Sequence, residues 1–273
     1  MATLFKRACP VNPMDPERMN LSRSELKFMK RLFGYFGIRD VMLHPVPKLA
    51  MRYNCLGMKE DAIWIAFLFA CTHDYDSTLN LYHKVDGSGD WDFGSVHKNF
   101  ESFRLYFLKN YKSLNFGLHR WRQKERTLEA FRTYIKLVDD FGGGSQEIMF
   151  KRILEDAEDY YLAWDSAYSL ISTSVITFGR LSTCDFLKYI DTWGIFPFRP
   201  YKDLHVDAGE KKGLELLYQR SFTLEEANQT VKVLCEKLKA DPRDAKTQLC
   251  HLHLDSVGAT GPKFEKRVTG LSE

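Results

Sequence analysis

Apolar side chains in this chain return every third or fourth residue in segment after segment, and no stretch alternates apolar with polar residues between hairpin-type turns. That is the helical period, so the chain is constrained to bury stripes of helix against one another. Trp64, Phe67, Leu68 and Cys71 follow it from Asp61, and Leu79 and Tyr82 carry it on toward Lys84, which predicts a buried central helix. Val96, Phe100, Phe103 and Phe107 make one face of the next helix; Leu128, Phe131, Ile135 and Val138 make one face of the helix after it. Both faces read as core. Aromatic residues are 14% of the chain, with 20 Phe and 13 Tyr, too many to lie on a surface, so a substantial interior is expected. The fold class is all-α: a single multi-helix globular domain over 22–256, after an irregular proline-bearing arm at 1–21 and before a loose tail at 257–273.

Punctuation divides the helical pattern. Ser24 to Phe33 reads as a helix with a basic outer side, and Pro45 and Pro47 predict an interruption with a loop around His44. Asp86 to Asp90 is a turn, and Gly142, Gly143 and Gly144 read as a C-cap or hinge, since they form no phosphate-binding fingerprint. A helix rich in Tyr and Trp is expected from Gln146 to Thr177. Lys211 to Tyr218 is a short helix, and Thr223 with Glu226 is a capping box opening a helix through Leu224, Ala227, Val231, Leu234 and Leu238.

Several function classes are disfavoured. Rossmann, P-loop and α/β-hydrolase motifs do not occur. Six scattered cysteines without a CxxC pair indicate neither a zinc site nor a disulfide scaffold, which fits a reducing cytoplasm. The basic N-terminus has no apolar run after it, and the most apolar run, Ala62 to Cys71, is half of what a bilayer requires, so no secretory signal and no membrane partner is expected. His73, Asp74, Asp76 and His83 have metal-ligating chemistry but no familiar ligand spacing, so no metal site is assigned. A net charge of +3 does not argue for nucleic acid by itself; a local patch is needed. Asn115 to Lys124 is such a patch, where Arg120, Trp121, Arg122 and Lys124 interleave cations with rings that suit a nucleic-acid strand. A solvated basic turn with Trp121 buried is the structural alternative.

The stretch Phe178-Gly179-Arg180-Leu181-Ser182-Thr183-Cys184-Asp185-Phe186-Leu187 carries the chemistry. Ser182 and Asp185 stand in capping-box spacing, predicting a helix from about Thr183, and Gly179 permits a sharp turn before it. Arg180 is then expected beside a helix N-terminus, where backbone N–H groups favour anions. The alternative is plain capping with Arg180 in a structural ion pair.

These residues, with Pro197, Arg199-Pro200 and Gly213-Leu214, resemble the amino acid:DNA transferases, also named α-glutamyl/putrescinyl-thymine pyrophosphorylases, of bacterial viruses that hypermodify thymine. Looser similarity extends through Trp64 and Arg120-Trp121-Arg122, covering Asp61 to Tyr218. The resemblance implies double-stranded DNA carrying 5-hydroxymethyluracil that a separate kinase has pyrophosphorylated, a free amino acid of glycine or serine type, and displacement of pyrophosphate by it. It also implies the cytoplasm of an infected host cell. On that chemistry Arg180, with Arg199 and Lys202, stabilises the departing charge. Asp185 or Asp203 accepts the nucleophile's proton, with His205 as a weaker option. Ser182 and Lys212, or Lys211, hold pyrophosphate or the amino acid carboxylate. Trp121, Phe198 and Tyr201 are candidates for stacking on a flipped base. No cofactor is expected, although Mg2+ with pyrophosphate is chemically compatible. The competing readings are a helical base-flipping glycosylase, for which no convincing helix-hairpin-helix is present, and a non-enzymatic helical DNA-binding or adaptor protein.

Overall fold

The structure, a computed structural model, describes residues 22, 24–25, 28, 44–84, 87–116, 126–198, 206–238, 240 and 242–256. Their order is α1 (Pro45–Cys55), α2 (Lys59–Thr72), α3 (Tyr75–Tyr82), α4 (Phe93–Lys98), α5 (Phe100–Asn110), a 3-10 turn (Tyr111–Ser113), α6 (Thr127–Gly142), α7 (Gln146–Glu155), α8 (Tyr160–Ser174), α9 (Arg180–Thr192), α10 (Ala208–Tyr218), α11 (Leu224–Leu238) and α12 (Pro242–Ser256). Among the described residues there is no strand, only an isolated bridge between His83 and Asp90, so the all-α expectation holds. Contacts gather into two compact units, one holding α1 to α9 and the other α10 to α12 together with Glu25 and Phe28. The interval 22–256, expected as one domain, thus carries two hydrophobic cores.

In the larger unit α2 is covered all round: every residue from Asp61 to Thr72 is buried. A helix apolar on all faces has no solvent side to present, so its neighbours must surround it. Trp64 packs on Phe93, Phe103, Phe131 and Tyr134, and its Nε1 donates to the Trp91 carbonyl at 2.9 Å. Phe67 stacks on Tyr134 at 3.8 Å and also meets Phe178 and Phe186. Burial of each such side chain contributes about 2–3 kcal/mol relative to exposure.

Three of the expected long helices are shorter, and in each case a side chain starts a new helix. The central helix stops at Thr72, His73 turns left-handed, and Asp74 caps α3 by accepting the Ser77 N–H. The Val96-to-Phe107 face is shared by α4 and α5, because Asn99 accepts the Ser102 N–H and begins α5. Gln146 to Thr177 is broken at 156–159, where Asp159 accepts from Tyr161 and Leu162. Each such cap is worth about 1 kcal/mol, enough to choose the break. The loop expected around His44 is instead a helix start: Pro45 and Pro47 lie in the first turn of α1, where a missing N–H costs nothing. Gly143, at φ 60, is the C-cap foreseen after α6.

In the smaller unit α10 opens on a reciprocal box between Asp207 and Glu210, and Thr223 and Glu226 form the box expected before α11. α10 and α12 touch through backbone: a Cβ on Gly213 would lie 1.9 Å from the Leu249 carbonyl oxygen. Burial pushes the Glu25 carboxyl up, but Lys237 Nζ at 2.8 Å and bonds from Ser22 and Tyr218 more than offset it and hold it below the usual range.

Candidate active site

α9 follows α8 through a tight link. Thr177 takes the left-handed turn at φ 69, while Gly179 is extended at φ −71 and serves as N-cap without needing a glycine's freedom. Helix α9 begins at Arg180, earlier than the spacing of Ser182 and Asp185 predicts, and that correction changes both roles. Ser182 is 2% exposed inside the first turn, and neither residue caps the helix. Thr183 returns its Oγ1 to the Gly179 carbonyl at 3.2 Å.

Asp185 turns instead to α2's end, where its Oδ2 lies 2.8 Å from His73 Nε2. His73 is the left-handed C-cap of α2 (φ 50, ψ 28), and its backbone N–H bonds the Phe69 carbonyl at 2.8 Å. That conformation costs an L-residue roughly 1–2 kcal/mol, and it aims the imidazole across to α9. The side chains of His73 and Asp185 keep 22% and 21% of their surface exposed, so the pair is reachable from solvent.

An aromatic wall adjoins the pair. Phe69 lies 4.8 Å from Tyr75 and 4.9 Å from Tyr189, with His73 5.8 Å away, and Tyr189 stacks on Trp193 at 5.1 Å. His44 stacks on Tyr75 at 3.3 Å with its Nδ1 buried and without a hydrogen-bond partner. Burial lowers its pKa while Asp76 and Asp74 pull the other way, so His44 is held toward the neutral form. Such a wall reduces water around the pair and strengthens its electrostatics.

Other expected site residues are distributed as follows. Arg180 is the first residue of α9, with its guanidinium outside the described part of the structure. Arg199, Lys202, Asp203, His205, Tyr201, Arg120, Trp121, Arg122 and Lys124 lie outside the described residues. Lys212 is exposed on α10, while Lys211 is held by Glu215 at 2.6 Å. Phe198 is not available for stacking on a base: it is fully buried against Phe150. Among the described residues no group of three or more His, Cys, Asp or Glu is arranged to hold a metal ion; Asp74 caps α3 and His83 pairs with Asp90. Sequence reasoning considered His73 only as a metal ligand and missed its partner, which stands 112 residues away.

A buried helical scaffold thus presents a partly covered His–Asp pair between the end of α2 and the second turn of α9, a grouping that can hold and pass a proton. The chain belongs to the amino acid:DNA transferase family, ADDT, whose sequence model matches residues 42–257 and so spans the whole pair. No curated protein and no solved structure matched the chain. Membership makes the protein a DNA-modifying transferase whose substrates are DNA and an amino acid. Among the described residues no helix is long and apolar enough to cross a membrane.

Proposed function

We propose that the protein displaces pyrophosphate from 5-(pyrophosphoryloxymethyl)uracil in DNA with an amino acid of glycine or serine type, a step in the hypermodification of thymidine by a bacterial virus in its host's cytoplasm. The observation that carries this reading is the start of α9. Gly179 at the N-cap has no side chain to satisfy the first-turn N–H groups, Arg180 follows it directly, and Asp185 with His73 lies about 7.5 Å farther along the axis. An electropositive helix end followed by a proton-accepting pair suits a reaction that sheds an anion and then deprotonates a nucleophile.

The methylene on the uracil ring is allylic in type, so pyrophosphate departs with the C–O electron pair and leaves a stabilised electrophile. Arg180, Arg199 and Lys202 meet the charge growing on the leaving group. The pair of His73 and Asp185 serves the proton. Mg2+ bridging the pyrophosphate is compatible with this chemistry. Arg120, Trp121, Arg122, Lys124 and Tyr201 hold the duplex and stack on the flipped base, whose extrusion costs a few kcal/mol. The substrate comes from a kinase that pyrophosphorylates hydroxymethyluracil in DNA.

The test is to incubate the protein with pyrophosphorylated hydroxymethyluracil DNA and single amino acids, then digest to nucleosides and weigh them by mass spectrometry. An amino acid adduct is expected, and Arg180→Ala lowers its rate by at least about 100-fold. A folded protein that forms no adduct with any amino acid removes the reading.

A further inference from the structure

Three His–Asp pairs among the described residues are not equivalent. His83 and Asp90 are seven residues apart across a turn, with side chains 46% and 38% exposed, which fits a hairpin clasp. His97 and Asp139 join α4 to α6, with Asp139 49% exposed. His73 and Asp185 come from segments 112 residues apart, are each about four-fifths covered, and lie beside the aromatic wall and the first turns of α9. Only in this pair is the histidine in a left-handed conformation that glycine would adopt without cost. Strain kept at a polar, largely covered pair points to use of the side chain.

We infer that His73 is the proton acceptor for the amino acid nucleophile and that Asp185 is its positioning residue. The inference rests on the transfer reaction proposed above and assigns to the imidazole the step that sequence reasoning gave to the carboxylate. Imidazole is a stronger base in water than a carboxylate by roughly two units or more, so it is the better acceptor near neutral pH. Because an ionised carboxylate only accepts, we assign the Nε2–H to the contact with Asp185, which puts the ring's lone pair on Nδ1. For attack through nitrogen, the ammonium gives one proton to Nδ1, the freed lone pair forms the C–N bond, and the C–O pair leaves on pyrophosphate. The resulting imidazolium is stabilised by the Asp185 carboxylate. An attacking hydroxyl loses its proton to the same atom. Acid–base groups of this kind contribute about 100- to 10,000-fold.

The experiment uses the full chain and pyrophosphorylated hydroxymethyluracil DNA with glycine, and reads pyrophosphate release and the glycine nucleoside separately. His73→Gly removes the imidazole and relaxes the left-handed backbone, so the variant keeps its helical circular dichroism. It is expected to form glycine adduct at least 100-fold more slowly while still releasing pyrophosphate, with water trapping the electrophile as hydroxymethyluracil. Added imidazole restores part of the glycine adduct, which mass distinguishes from an imidazole adduct. Asp185→Asn shows the same uncoupling to a smaller extent, and His97→Asn behaves as wild type. Wild-type adduct rates in His73→Gly overturn the assignment. So does a folded variant that loses pyrophosphate release and adduct together and gains nothing from imidazole. A wild type that makes no adduct overturns the transfer reaction and this assignment with it.

Discussion

Asp61 occupies the first turn of α2, where a helix N-terminus ordinarily favours an anion by about 0.3–1 kcal/mol. Burial nevertheless dominates: at 9% exposure its carboxyl is pushed up to about 6 from 3.8, with the Asp92 charge adding to the shift and the Phe93 N–H opposing it. A displacement of about 2 units corresponds to about 3 kcal/mol between the protonated and ionised forms. The folded value is raised, so the native state keeps a proton that the unfolded chain releases. The contribution to stability is therefore complete below about pH 4, falls through the window from about 4 to about 6, and is gone above it. Asp61→Asn keeps the size and an acceptor for the Phe93 N–H but removes the charge. It is expected to be about 2–3 kcal/mol more stable than wild type near pH 8 and to lose that advantage near pH 4. Urea unfolding followed by far-UV circular dichroism at a series of pH values measures the difference, and any pH-independent effect of the asparagine cancels. A stability difference between variant and wild type that does not change with pH, or that shifts toward wild type as pH rises, refutes the reasoning.

Two further substitutions probe the scaffold. The Glu60 carboxylate accepts the Ser145 hydroxyl and the backbone N–H groups of Gln146 and Glu147, and Gln146 is fully buried. Glu60→Ala is expected to cost about 2–4 kcal/mol in denaturant unfolding by leaving these donors unpaired; a cost under about 0.5 kcal/mol contradicts it. Gly213→Ala places a methyl against the Leu249 carbonyl, so the smaller unit should open locally, read as faster hydrogen exchange in α10 and α12 with α2 unchanged. Equal exchange in the variant and wild type counts against that close approach.

The helical class was legible because Trp64, Phe67, Phe131, Ile135 and Val138 keep a 3.6 period that strands do not share. The breaks were harder, because the apolar period runs on through Leu79 and Tyr82 after the chain has already turned at His73. Their signal was present in Asp74, Asn99 and Asp159, each of which caps the helix that follows. At α9 the same kind of signal misled: Ser182 and Asp185 have box spacing, yet the helix starts at Arg180 and Asp185 finds a stronger partner in His73. A pair that far apart in the chain leaves no local trace in one sequence. Arg180 was legible only as a residue beside a helix N-terminus, since the start was expected near Thr183, and α12, with mixed polar composition around Leu249, was not foreseen as a helix.

The most direct measurement is to place oxygen-18 in the bridge between the uracil methylene and the first phosphorus, supply an unlabelled amino acid, and follow the isotope. Carbon–oxygen cleavage carries all of it into released pyrophosphate and leaves a nucleoside bearing the amino acid without it. Label kept in the modified nucleoside means that the bond broke at phosphorus, which contradicts displacement at the methylene.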